Sequence, residues 1–329
     1  MFAARPPYIN GNFLMSKFVG CCKVEVFDKE NDLTFPMLVM YPTNTASKPV
    51  AFGPFFLEVS MDAPAADGRF PLVMISHGSG GSNLTHRTLG MHLVKNGFVV
   101  CMPEHPFNNR HNNELQYTVQ NMTYRPRHIR LAIDKVLSYD KFINRLDFKN
   151  VAIIGHSVGG YTALALAGGV PHTQSLVEFC QRPESADEPY WLSLIRKNGI
   201  KSQPIEVTAD SRIKAVVLLA PDVGLFMSEG ALRHVHAPIL LLVAEKDYMS
   251  LETVEVMMNG IPERSQLSHR IVKKAGHYSF LSPFPESMKS RVGDAARDPE
   301  GFDRDQFHQE LNPEVLSFLQ RALAVDHNH

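Results

Sequence analysis

Cysteine, tryptophan and net charge are all scarce in this chain. Its 329 residues include four Cys and one Trp, and 33 basic against 34 acidic side chains leave a formal charge of −1. Cys21 and Cys22 are adjacent, while Cys101 and Cys180 stand far apart. That spacing is neither a disulfide framework nor a zinc pattern, so the thiols read as small buried hydrophobes. A near-neutral chain has no electrostatic reason to bind nucleic acid or an anionic membrane surface. No apolar run is long enough to suggest a spanning helix. Met1 to Lys17 lacks the basic start and apolar block of a secretory signal, which makes a cytoplasmic protein the expectation. Histidines in metal-binding spacing, internal repeats and low-complexity stretches are also missing.

What is present is alternation of strand and helix patterns. Apolar or alternating runs predict strands at Lys23–Phe27, Phe35–Tyr41, Phe70–Ser76, Phe98–Met102, Val151–Ile154, Ile213–Leu219, Pro238–Val243 and Leu267–Val272. Helices are predicted at Leu84–Asn96, Tyr161–Ala167, Phe302–Leu311 and Pro313–Leu323. One more is marked by Ile129, Ala132, Ile133, Val136 and Leu137 at helical spacing. On that last helix Arg125, Arg127 and Arg130 read as a solvated face. Pro42–Gly68, rich in Pro, Ala, Ser and Gly, reads as a long connection. The repeated units predict an α/β protein with a doubly wound, mostly parallel sheet in one domain spanning 1–329. Residues 171–211 break the alternation with two weak helical patterns, and they read as a helical cap inserted over the site.

The most informative stretch is Gly155-His156-Ser157-Val158-Gly159, placed between a buried strand and a small-residue helix. A strand turning sharply into a helix exposes a Ser hydroxyl at the helix N-terminus, where backbone N–H groups can stabilise an oxyanion. Such a Ser needs a base, and the base needs an orienting acid. His277, in Ala275-Gly276-His277 after the last strand, is the base candidate. Asp247 is the preferred acid and Asp222 the alternative, each following a strand; Glu245 is a weaker third. The oxyanion donors are expected at Val158 N–H and, from the loop after Phe70–Ser76, at Ser79 N–H. Gly78-x-Gly80 is followed three residues later by Asn83 rather than Gly or Ala, so a dinucleotide fingerprint is absent. No metal or organic cofactor is expected.

Ser76-His77-Gly78, Pro103-Glu104-His105, Gly155-His156-Ser157-Val158-Gly159-Gly160 and Gly276-His277 together resemble the α/β-hydrolase superfamily. The likeness is nearest to predicted dienelactone hydrolases and platelet-activating-factor acetylhydrolase-like esterases, over roughly residues 35–285 without the insert. The resemblance implies a serine esterase on an α/β-hydrolase fold. Two departures stand out. Dienelactone hydrolases use Cys where this chain has Ser157, and the acetylhydrolases place their acid where Asp222 stands and lack the later Asp.

The expected activity is hydrolysis of a small carboxylic ester through an acyl-enzyme. A thioesterase or acyltransferase, and a catalytically inert binding protein on the same fold, are the other readings. The partner is a small ester or acyl compound, with no nucleic acid or membrane. The expected acyl pocket is apolar, built from the insert and the two acid loops by Phe179, Trp191, Phe226, Met227, Tyr248 and Met249, with His77 from the loop after Phe70–Ser76.

Overall fold

The computed structural model describes residues 18–183, 195–197, 199–247 and 251–324. Among these residues ten strands form one sheet: β1 (Phe18–Asp28), β2 (Leu33–Thr43), β3 (Lys48–Phe52), β4 (Phe55–Met61), β5 (Phe70–Ser76), β6 (Val99–Pro103), β7 (Leu146–His156), β8 (Ile213–Leu219), β9 (Ile239–Ala244) and β10 (Leu267–Val272). Their order is β10-β9-β8-β7-β5-β6-β2-β1-β4-β3. β6, β5, β7, β8, β9 and β10 run parallel, and the β1–β2 hairpin joins antiparallel at β6. The helices are α1 (Arg87–Lys95), α2 (Val119–Leu137), α3 (Val158–Leu166), α4 (Gln174–Gln181), α5 (Leu251–Gly260), α6 (Glu286–Val292) and α7 (Arg304–Ala324).

The sheet divides the core into two layers because side chains alternate along each strand. Phe70, Leu72 and Met74 of β5 pack with Ile129 and Ile133 of α2, Leu164 of α3 and Met257 of α5. Val73 and Ile75 face the other way, towards Leu89 and Leu93 of α1 and Leu311, Val315 and Leu319 of α7. Central strands are therefore buried on both faces and read as unbroken apolar runs, as in other parallel sheets. After β5 the chain moves outward to β6, then returns through α2 to place β7 on the opposite side of β5. Open α/β sheets bind ligands at such a reversal, beyond the carboxyl ends of the strands. Here Ser76 of β5 pairs with Gly155 of β7, so the loop after β5 and the turn after β7 emerge side by side.

Two parts of the fold differ from the sequence reading. The stretch 42–68 is largely a hairpin, β3–β4, and β4 adds to β1. Its Phe55, Leu57 and Val59 are buried while Phe56 and Glu58 point outward, an alternation masked by the surrounding Pro, Ala and Ser. The tail is one helix rather than two, with Pro313 inside α7. Phe307, Leu311, Val315 and Phe318 form a continuous buried stripe across the proline. Burial of that stripe outweighs the one backbone bond that the proline removes.

Candidate active site

Ser157 stands between β7 and α3 at φ 55°, ψ −126°, a region costing a non-glycine residue about 1–3 kcal/mol. Its neighbours hold it there. Ser157 N–H donates to Leu219 O (3.2 Å), and Ser157 O accepts from Gly160 N (2.8 Å) and Asp222 N (2.9 Å). The two glycines of the pentapeptide are required by contact. A Cβ on Gly155 would lie 2.0 Å from Gly159 O, and one on Gly159 would lie 2.0 Å from Ser76 O. The strand, the helix and the loop after β5 thus touch backbone to backbone around the serine.

His277 opens a short 3₁₀ turn, His277–Phe280, after β10. Its Nδ1 bonds the Asp247 carboxylate at 2.9 and 3.1 Å. The two side chains are 4% and 2% exposed, so water competes little for that bond. Asp247 N–H donates to Ala244 O and Lys246 N–H to Ala275 O, which braces the two loops together. His156 donates Nε2–H to His277 O (2.9 Å) and packs against the His277 ring at 5.0 Å. Asp222 does not take the Asp247 position. Its Oδ1 accepts from Gly224 N–H (3.2 Å), and burial pushes its carboxyl up from the ordinary value, partly offset by that bond and by His277. Glu245 lies outside the site, paired with exposed Lys273.

Ser157, Val158, Ser79, His277 and Asp222 all line one cleft of about 740 Å³, within the size range of small-molecule sites. Val158 is the first residue of α3, where a helix leaves N–H groups without intrahelical acceptors. The loop carrying Ser79 is anchored from below by Arg125, which the sequence pattern assigns to a solvated face. It is instead fully buried. Its guanidinium donates to His77 O, Ser76 Oγ (3.1 Å), Asn108 Oδ1 (2.6 Å) and Thr162 Oγ1 (3.1 Å). Asn108 Nδ2 in turn donates to Ser79 Oγ (2.9 Å). The sequence did hold a signal for this: Arg125 precedes Ile129 by four residues and so shares the buried stripe of α2.

The expected pocket residues fare differently. His77 is buried beneath the loop rather than in the cleft, donating Nδ1–H to Gly78 O (2.7 Å) and accepting His105 N–H at Nε2 (3.1 Å). Phe226 is a core residue, stacked on Tyr161 at 5.6 Å, because a 3₁₀ turn at Gly224–Phe226 folds it back onto α3. Met227 is partly buried and also away from the cleft. Trp191, Tyr248 and Met249 fall outside the described residues, as does the side chain of Phe179. None of the described residues of 171–211 lines the cleft. α4 instead sits against the loop after β8, where Ser175 Oγ donates to Gly224 O. The walls come from segments the sequence reading passed over: Phe55 at the β3–β4 turn, Tyr117 and Met122 around the start of α2, Phe284, and Met288 of α6.

A chain of buried histidines surrounds this site. Burial holds His77, His86 and His128 down to about 3 and His308 to about 4, from an ordinary 6.5, and holds His105 and His156 well below it. Because the folded values are depressed, this stability is fully present above pH 6.5 and is lost as pH falls from there towards 3. At pH 5.5 each unfolded histidine gains about 1 kcal/mol by protonation that the folded one forgoes. Six together withdraw several kcal/mol, a large part of a domain's net stability. The melting temperature is therefore expected to drop steeply between pH 7.5 and pH 5.5, and a flat profile by circular dichroism would contradict this.

A family model described as Chlorophyllase matches residues 19–180, just under half of the chain. Ferulic acid esterase from Streptomyces cinnamoneus superposes with a TM-score of 0.63 at 17% identity, covering 93% of this chain and 90% of that one. Dienelactone hydrolase from Anabaena variabilis superposes with a TM-score of 0.50 at 15% identity, covering 91% of this chain and 96% of that one. No curated protein matches. The structural likeness establishes the α/β-hydrolase fold, and the family match spans the part of the chain that holds Ser157.

Proposed function

We propose that the protein is a serine esterase acting on a small carboxylic ester, with Ser157 as nucleophile, His277 as base and Asp247 as the orienting acid. The observation that carries this reading is the His277–Asp247 bond together with a Ser157 in the strained turn that lines the same cleft. Asp247 accepts Nδ1–H, which leaves Nε2 as the ring's basic nitrogen. Ser157 Oγ attacks the ester carbon as Nε2 takes its proton. The carbonyl electrons move onto oxygen, where Val158 N–H and Ser79 N–H would hold the charge. Collapse returns that proton to the departing alkoxide and leaves an acyl-enzyme. Water then repeats the sequence, and Ser157 is regenerated with release of the acid.

The apolar walls around Phe55, Met122 and Phe284 favour an acyl or alcohol group of moderate size. Buried thiols at Cys21, Cys22 and Cys101 fit a reducing, cytoplasmic setting. Among the described residues no helix is long and apolar enough to cross a membrane.

A series of p-nitrophenyl esters from acetate to decanoate tests the activity. Hydrolysis with a preference for medium chains is expected, with the free acid as product in water and some methyl ester when methanol competes for the acyl-enzyme. Release of no free acid in water, with the acyl group passed only to an added acceptor, would assign a transferase, and no turnover of any ester would remove the reading.

A further inference from the structure

Arg87, the first residue of α1, is 6% exposed and lines the cleft. Its guanidinium lies 3.9 Å above the Phe55 ring, and it donates to Leu84 O (3.4 Å) and Pro283 O. These contacts position the group but bring no negative charge. Among the described residues Arg87 makes no ion pair. Burial alone lowers its value to about 10, with no opposing carboxylate. A cation removed from water without a counter-ion is costly, and in folded proteins such groups are as a rule paired. Arg125 is also buried without a carboxylate, but it donates to four acceptors and lies under the site rather than on its wall.

The rest of the wall has the same sign. Arg110 and Arg291 line the cleft with exposed side chains, and Asp222, whose N–H donates to Ser157 O, is the one carboxylate among the described lining residues. The cleft therefore has an apolar body, a reactive end holding the nucleophile, and a cationic wall short of anions.

We propose that the ester accepted here carries a carboxylate away from its scissile bond, and that Arg87 binds it. This rests on the esterase reading of the same cleft. A guanidinium that has given two N–H groups to carbonyls still has three to offer, and a carboxylate is the planar monoanion that the fork fits and that balances a single positive charge. Arg110 and Arg291 add attraction at the mouth, which salt weakens.

The test compares matched pairs in which the carboxylate is free or capped as a methyl ester. One pair places it on the acyl side, p-nitrophenyl hydrogen adipate against p-nitrophenyl methyl adipate. The other places it on the alcohol side, 4-(carboxymethyl)phenyl hexanoate against its methyl ester. The wild-type protein is expected to favour the free carboxylate about tenfold in kcat/KM in one pair, which also tells which side of the ester faces Arg87. In R87Q the ratio for that pair is expected to fall to about one, while a fluorophosphonate still labels Ser157. Capped esters cleaved as fast as the free carboxylates in both pairs, or a ratio unchanged in R87Q, overturns the proposal and leaves the esterase reading standing. Turnover of none of the four compounds removes both. The wild-type ratio needs no variant, so the proposal stays testable if R87Q is recovered unfolded.

Discussion

Ser157→Ala is expected to lower kcat for ester hydrolysis on the order of 10⁴-fold or more, with His277→Ala costing a similar amount. The double variant should lose little beyond either single one, because nucleophile and base act as a unit. The geometry explains the size. Ser157 is held at φ 55° by three backbone hydrogen bonds, so no neighbouring hydroxyl can take its position without rebuilding the turn. His277 is fixed by Asp247 at Nδ1 and by His156 at its carbonyl. Melting curves of both variants separate lost chemistry from lost folding. Removal of the Ser157 hydroxyl also relieves no strain, since the positive φ remains. Hydrolysis by Ser157→Ala near the wild-type rate would end the account.

Asp247→Asn is the second large effect, a fall in kcat of roughly 10⁴-fold. The amide keeps the shape of the carboxylate but can offer its N–H to Nδ1. That stabilises the tautomer whose proton sits on Nε2, where the base must be free of it. Asp222→Asn is expected to cost far less. Its carboxylate accepts Gly224 N–H, a bond that an asparagine oxygen can also accept. Steady-state kinetics on one good p-nitrophenyl ester decides the matter. Losses in the reverse order would mean that His277 turns to Asp222 during catalysis.

Much of the candidate site was legible because its residues are constrained by local chemistry. Gly155 and Gly159 face backbone atoms at 2.0 Å from any Cβ, so the turn can be written with few other residues at those places. Gly276-His277 and Asp247 follow strands whose apolar runs are unmistakable. The choice between Asp247 and Asp222 was not fixed by the chain order. Both follow strands, and only the packing of the 245–247 loop against 272–275 brings one of them to Nδ1. The substrate walls were less legible still. Phe55, Tyr117 and Met288 come from a hairpin turn, a loop and a short helix that are distant in sequence. Their side chains border one cleft only once the chain is folded. The segment 171–211 drew attention because it interrupts a pattern, yet interruption says where the chain leaves the sheet and not where it lands. Arg125 and Arg87 show a different limit. Charged residues are usually exposed, and the exceptions are recognised from what surrounds them: acceptors below the Ser79 loop for one, an apolar wall for the other.

The central claim is that Ser157 carries the acyl group between two half-reactions. It is tested most directly by quenching the protein in acid during turnover of p-nitrophenyl butanoate and mapping the modified peptide by mass spectrometry. The account predicts one added butanoyl group on the peptide containing Ser157, absent in Ser157→Ala. A butanoyl group on any other residue of the active wild-type protein would contradict it.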